Sequence, residues 1–178
     1  MPSSRFLISS QTLGSAAASV TFSSIPATYT DLVVRISARS SNTGGSGYSY
    51  MQITYNGTTS GYSDTLLYKD GTNATPQSQR ASSTTFYSNA GTGLPFPDAG
   101  ATVSTFGSTE IYIPSYTVSQ NKPASVFAVQ ENNSTTQFMA VDASLWSNTA
   151  AITSITITAG NPNFVSGSSF YLYGLKNS

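Results

Sequence analysis

The sequence of 178 residues contains neither cysteine nor histidine. The absence of cysteine excludes disulfides, thiolate metal sites and thiol nucleophiles. The absence of histidine removes the commonest general base and the commonest metal ligand together. Most of the familiar catalytic and metal-binding constellations are therefore excluded before any pattern is considered.

Charge is also scarce, since only seven basic and seven acidic residues occur and the formal net charge is zero. Charged residues make up 8% of the chain, against about 25% in an average protein. Phosphate binding needs a basic patch, so we expect no nucleic-acid partner. No apolar run approaches the roughly 18 residues that span a bilayer, so we expect no membrane partner. A polar, uncharged surface suits contact with copies of the same chain or with other subunits.

Apolar and polar residues alternate with a period of two along much of the chain. In residues 31–39, Leu32, Val34 and Ile36 share one face, which predicts a half-buried strand. The same alternation predicts strands at 48–55, 109–113, 125–129, 139–145, 154–159 and 170–175, with weaker candidates at 5–8, 19–22, 65–68 and 84–87. No window shows the apolar spacing of a helix, so we expect little or no helix.

Turn-forming residues separate these runs, among them Asn56-Gly57 and Asp70-Gly71. About ten strands joined by short turns predict an all-β fold, a single β-sandwich of the jelly-roll kind over residues 1–178. Residues 71–105 carry the weakest pattern, and we interpret them as extended loops of the same domain.

Three stretches resemble a known family. They are FLISSQTLGSAAASVTFSSIPATYTDLVVRISARS at 6–40, STEIYIPSYTVSQNKPASVFAVQEN at 108–132, and 145–178 with its ending SSFYLYGLKNS. They resemble small virion structural proteins of tailed bacteriophages, especially aquatic ones. The resemblance implies a particle component, either a capsid decoration protein or a head-fibre or tail-fibre module, and its motifs carry no catalytic content.

The acidic residues offer little for hydrolysis, which in glycosidases needs two carboxylates about 5 to 9 Å apart. Asp64 and Asp70 flank one candidate strand, and six extended residues separate them by roughly 20 Å. Asp142 lies inside another predicted strand. If it is buried, Arg35 or Arg39 is the expected partner, and the alternative is a position facing solvent or an interface.

Two further chemistries are weak in this sequence. A serine nucleophile lacks both the G-x-S-x-G elbow and a histidine base. Asp70, Thr72 and Asn73 offer oxygen ligands for calcium, but their spacing lacks the acidic ligands of a known calcium loop. We therefore predict no catalytic residue, no cofactor and no metal site.

Five residues are predicted to contact a partner, because apolar burial must replace charge in this chain. Leu94, Phe96 and Phe106 lie on a segment without strand periodicity, and the alternative is that Leu94 and Phe96 cap the core. Tyr112 and Tyr116 lie at strand faces or ends. They are interpreted as part of a tyrosine-rich contact surface, with a structural role as the alternative.

Together these observations predict a non-enzymatic capsid decoration protein on the exterior of a phage head. Its expected partners are the major capsid protein or other virion subunits, and we expect a homo-oligomer, with a trimer favoured and a dimer possible. The alternative is a fibre module that binds a host glycan, but the sequence shows no heptad repeat for a stalk. A secreted carbohydrate-binding module is a third class. The sequence lacks the concentrated tryptophan platform of such a module, since Trp146 is its sole tryptophan.

Overall fold

The structure, a computed structural model, describes residues 4–71, 75–83, 94–132, 137–160 and 162–176. These residues form twelve β-strands and no helix. The strands are β1 (Ser4–Thr12), β2 (Ser19–Phe22), β3 (Asp31–Ala38), β4 (Tyr48–Tyr55), β5 (Tyr62–Asp70), β6 (Gln77–Ser83), β7 (Leu94–Pro97), β8 (Gly107–Ile113), β9 (Lys122–Gln130), β10 (Phe138–Trp146), β11 (Ile155–Ala159) and β12 (Ser169–Lys176). The all-β prediction is confirmed.

The strands form two antiparallel sheets that pack face to face as a β-sandwich. The large sheet has eight strands in the order β1-β12-β3-β8-β9-β10-β5-β6, and the small sheet has four in the order β2-β11-β4-β7. Alternate residues of β4, β8, β9, β10, β11 and β12 are buried between the sheets, as the period-two pattern requires. The core between the sheets includes Leu32, Val34, Ile36, Met51, Ile53, Ile111, Ile113, Ile155, Ile157, Phe170 and Leu172.

The stretch 71–105 is not a set of extended loops, because it contains β6 and β7. The sequence QSQRASS of β6 is polar at both parities and shows no alternation, although β6 pairs with β5. The two prolines of β7 are typical of a loop in the sequence. They are tolerated here because β7 is at the edge of the small sheet. The weak strand predicted at 84–87 and the calcium ligand candidates Thr72 and Asn73 lie outside the described residues.

Arg39 ties the segment after β7 to the sandwich. Its Nη1 donates to the carbonyl oxygens of Thr102 and Thr105 at 2.8 and 3.0 Å, and its Nη2 donates to that of Ala101 at 3.0 Å. A guanidinium with three carbonyl acceptors can be buried without a carboxylate. Arg39 therefore anchors the loop at residues 101–105 through hydrogen bonds to carbonyl oxygens.

Lys122 does the same at the other end of the large sheet. Its side chain is fully buried, and its Nζ donates to the carbonyl oxygens of Val118, Gln120 and Thr149, the first at 2.7 Å. Burial lowers the pKa of this amine. Lys122 thus connects the loop that precedes β9 with the loop that follows β10.

We expect Lys122→Met to lower the free energy of unfolding by about 3 kcal/mol, because buried carbonyl oxygens lose their donor. Chemical denaturation measures the effect. Lys176→Met is the matched control, since Lys176 is exposed at the end of β12. Equal stability of the two variants would contradict the anchoring role.

Five tyrosines make the fold sensitive to alkaline pH. Burial is the largest cause that raises the pKa above 10.0 for Tyr50, Tyr55, Tyr62, Tyr112 and Tyr116. Above about pH 10 the unfolded chain releases phenolic protons that the folded chain retains, so stability falls as pH rises. The lowered pKa of Lys122 makes stability rise with pH, but Lys122 is one group and the tyrosines are five.

We therefore expect constant stability through neutral pH and a steep loss above about pH 10. Absorbance at the phenolate band and circular dichroism, followed together during a pH titration, provide the measurement. A share of the eleven tyrosines should ionise only as the fold is lost. Ionisation of all of them near pH 10 with the fold intact would refute this assignment.

Candidate functional site

The outward face of the small sheet is rich in hydroxyl and amide groups. Thr21 and Thr156, on neighbouring strands, share a hydrogen bond of 2.9 Å between their hydroxyl oxygens. The other residues of this face on β2, β11 and the second half of β4 are Ser19, Gln52, Thr54 and Thr158. This part of the face is well satisfied by water and offers little apolar surface to a partner, whereas the first half of β4 carries Tyr48 and Tyr50.

The outward face of the large sheet is different, because apolar side chains gather on its strands β9, β10 and β5. Leu67, Phe127, Met139 and Val141 are each 49–53% exposed, and we call these four residues the apolar band. Val141 of β10 is the register partner of both Phe127 and Leu67. Exposed apolar groups that are contiguous in this way are typical of contact surfaces, whereas isolated ones need no explanation.

Beside the band, a lateral row crosses four strands. Tyr171 of β12 lies opposite Arg35, Arg35 opposite Glu110, and Glu110 opposite Phe127. Arg35 Nε donates to Glu110 Oε2 at 2.7 Å. Over this row lies an open groove of about 590 Å³, which also borders Ser37, Ser108 and Tyr173 along with Ile36 and Thr109. We call it the outer groove.

Tyrosines form one wall of the outer groove. The rings of Tyr171 and Tyr173 lie 6.4 Å apart between centroids and are inclined by 21°. The guanidinium of Arg5 lies 5.6 Å from the centroid of the Tyr173 ring, and its Nη1 is 3.7 Å from Glu110 Oε2. Two arginines and one glutamate therefore form an ion-pair cluster beside two aromatic rings.

The structure corrects the prediction for Leu94 and Phe96. Both side chains are 0% exposed, and the ring of Phe96 packs 5.4 Å from that of Phe164 in the core. Their predicted role as partner contacts is wrong, because β7 closes the sandwich with these two residues. The alternative interpretation, a cap on the core, is confirmed.

The remaining predicted contact residues do not form one surface. Tyr116 is wholly buried and donates its hydroxyl to the carbonyl oxygen of Pro26, so its predicted contact role is also wrong. Phe106 is half-buried and packs near the turn at Gly167. Tyr112 is half-buried on the outward face of β8, where its hydroxyl donates to Asp31 Oδ2 at 3.0 Å. Of the five, Tyr112 lies beside the outer groove.

The acidic residues occupy other places than the sequence indicated. Asp142 is 2% exposed and accepts a hydrogen bond of 2.5 Å from Ser144, so both its arginine partners and its solvent-facing alternative were wrong predictions. Arg35 is on the opposite face of the sheet. Asp64 is 6% exposed and is the register partner of Ser144, which places the two acids diagonally across β5 and β10. Both side chains are therefore buried on the inward face of the large sheet.

In the part of the chain that the structure describes, no three His, Cys, Asp or Glu side chains come together as a metal-binding group. The described residues also form no helix with the length and apolarity needed to cross a membrane. Comparisons with protein-family models, with curated proteins and with solved structures found no match to this chain.

The sequence contains a pattern that indicates the apolar band. In β9 and β10 apolar residues stand at both parities, as in Val126-Phe127 and Ala140-Val141. One of the two faces must then be exposed or covered by a partner. The Arg35–Glu110 pair has no such signal, since 75 residues separate its members and only the strand register joins them.

We expect Phe96→Ala to lower the free energy of unfolding by about 3–5 kcal/mol, as usual for truncation of a buried phenylalanine. Phe127→Ala, the control with the same chemical change at a half-exposed position, should cost about 1 kcal/mol or less. Thermal and chemical denaturation measure both. A Phe96 variant as stable as the Phe127 variant would show that β7 does not close the core.

Proposed function

We propose that this chain is a non-enzymatic virion structural protein, a capsid decoration protein on the exterior of a tailed-phage head. It contacts the major capsid protein or other virion subunits, and it acts as a homo-oligomer. The observation that carries this proposal is the apolar band. Half-exposed apolar side chains on three neighbouring strands contribute nothing to the core of this chain, and their burial against a partner is favourable.

The contrast between the two outward faces supports an orientation on the particle. The hydroxyl-rich face of the small sheet suits water, whereas the large sheet carries the apolar groups. The few charges leave association to apolar burial and neutral hydrogen bonds. We infer that the β9–β10–β5 half of the large sheet faces the partner.

The strand order supports the jelly-roll form of the sandwich. Strands β1, β3, β8 and β12 lie in the large sheet, whereas β2, β4, β7 and β11 lie in the small one, so the chain passes repeatedly between them. Such alternation is expected of two wrapped Greek keys. The hairpins β5–β6 and β9–β10 then extend the large sheet.

The absence of catalysis is part of the proposal and rests on the acids. Asp64 and Asp142 are the carboxylates closest to a glycosidase pair in arrangement, but both lie on the inward face. Glu110, which is exposed, is engaged by two arginines. Its pairing favours a structural or binding role.

A receptor-binding fibre module is the second candidate, and the outer groove is the observation that favours it. The groove joins aromatic and charged side chains on one face. A decoration protein and a fibre module make different demands on the large sheet. The first needs the apolar band, and the second needs the groove.

We expect the double variant Leu67→Thr, Val141→Thr to lose attachment to phage particles by about ten-fold or more, because two central apolar contacts are removed. Threonine is β-branched and keeps the strand preference of these positions. The measurement is co-sedimentation of the purified protein with particles of its phage that lack it. Wild-type attachment should survive about 1 M salt, where electrostatic screening acts within roughly 3 Å.

The matched control is Val103→Thr, Val118→Thr. Val118 is 50% exposed, close to the 49% of Val141, and both control residues lie on loops away from the band. This variant should attach as the wild type does. Full occupancy by the band variant, or release of the wild type by salt, would move the assignment to the fibre candidate.

A further inference from the structure

The outer groove combines three features that recur in sites for sugars. It is concave, it is bounded by aromatic rings on two sides, and its floor is polar and preorganised. We propose that this groove binds an uncharged, hydroxyl-rich polysaccharide, stacked on Tyr171 and Tyr173 and hydrogen-bonded to Arg35 and Glu110. The inference deepens the fibre candidate by naming a ligand class and a site.

The size and shape of the groove fit a short stretch of sugar chain. Its volume of about 590 Å³ lies within the roughly 300–1,000 Å³ usual for small-molecule sites. Tyr171 and Phe127 stand three strands apart in one row, which separates their backbones by about 14 Å. The groove is open to solvent, so a polymer can reach it from the surface.

The aromatic walls provide the apolar part of the recognition. A pyranose ring has a face of C–H groups, and that face packs against aromatic rings while the hydroxyl groups point sideways. Tyr171 and Tyr173 are half-buried and nearly parallel, and Phe127 is half-exposed on the far side. Val33 lies between Tyr173 and Tyr112 in the strand register and is buried, so the tyrosine wall rests on a packed support.

The floor provides oriented hydrogen-bonding groups. The bond between Arg35 and Glu110 uses Nε and Oε2, and Arg5 approaches the same Oε2. The terminal nitrogens of Arg35 and the Oε1 atom of Glu110 stand outside these contacts. A planar donor beside a planar acceptor matches neighbouring hydroxyl groups, which both donate and accept. Ser37 and Ser108, on the same floor, add hydroxyl partners.

The charge balance favours an uncharged ligand. Glu110 is paired with two arginines, so half of the positive charge at the groove is compensated and a single positive charge remains. A phosphate or nucleic-acid ligand would need a larger excess of basic residues. Hydrogen bonds to an uncharged sugar and ring stacking remain effective when salt is added.

The groove and the apolar band share Phe127, but their other residues lie on different parts of one face. The groove is centred on β12, β3 and β8, whereas Leu67 and Val141 of the band lie on β5 and β10, at the other side of Phe127. Side chains on the two parts can be changed separately. The sugar site can therefore be tested on the isolated protein without any particle.

The experiment is affinity electrophoresis of the purified chain in gels that contain one neutral polysaccharide each, namely a soluble β-glucan, a mannan or a galactan, with alginate as an acidic comparison. We expect retardation by at least one neutral polymer, unchanged in about 1 M salt. Tyr171→Thr should weaken it about ten-fold or more, because the stacking ring is lost. Tyr171→Phe keeps the ring and should retain most of the binding.

Arg35→Gln is the second variant, because Arg35 is exposed and its replacement should leave the fold intact; it should also weaken the retardation. The band variant Leu67→Thr, Val141→Thr should bind the polymer as the wild type does. Retardation by none of the neutral polymers, or binding that Tyr171→Thr and Arg35→Gln leave unchanged, overturns the sugar site. Retardation by alginate alone that salt abolishes, or a changed oligomeric state in Arg35→Gln, would instead identify an anion site or a subunit contact. Failure of particle attachment bears on the band and leaves this result unaffected.

Discussion

The large sheet has twice as many strands as the small sheet that packs against it. This difference in width decides which residues form the core and which remain on the outward faces. Where the sheets overlap, inward residues such as Leu32 and Ile111 are aliphatic and fully buried. Towards β10 and β5 the inward face also holds the polar residues Asp142, Ser144 and Asp64 beside buried apolar ones such as Leu66 and Trp146. The same two strands carry Leu67, Met139 and Val141 on their outward face. A sheet built in this way leaves hydrophobic area that its own chain does not bury.

Two buried cations anchor the loops at the ends of the sandwich, where hydrogen bonds take the place of apolar contacts. Arg39 and Lys122 each donate to three backbone carbonyl oxygens, and each holds loops that would otherwise leave these oxygens without protein partners. Such contacts specify loop geometry, and removal of the cation leaves buried carbonyl oxygens without a donor. With few charges in the chain, two of its seven basic residues serve the fold in this manner. The exposed cluster around Glu110 is then the main charged feature of the outward face.

Alternation along the strands was sufficient to predict the all-β class and most strands, because one buried face imposes a period of two. It failed at β6, whose polar residues stand at both parities, and at β7, whose prolines resemble a loop. It does not distinguish an exposed apolar segment from a buried one without alternation, and Leu94 and Phe96 fill the core. The outer groove was beyond prediction because it depends on the register between distant strands.

We propose that the β9–β10–β5 half of the large sheet is the attachment surface on a phage particle. Electron cryomicroscopy of intact particles that carry this chain tests it most directly, because an eight-stranded sheet can be oriented within the density. We predict that Val141 and Leu67 lie against a neighbouring subunit and that the hydroxyl-rich face of the small sheet points to solvent. A map in which the small sheet contacts the shell and the apolar band faces water would contradict the account.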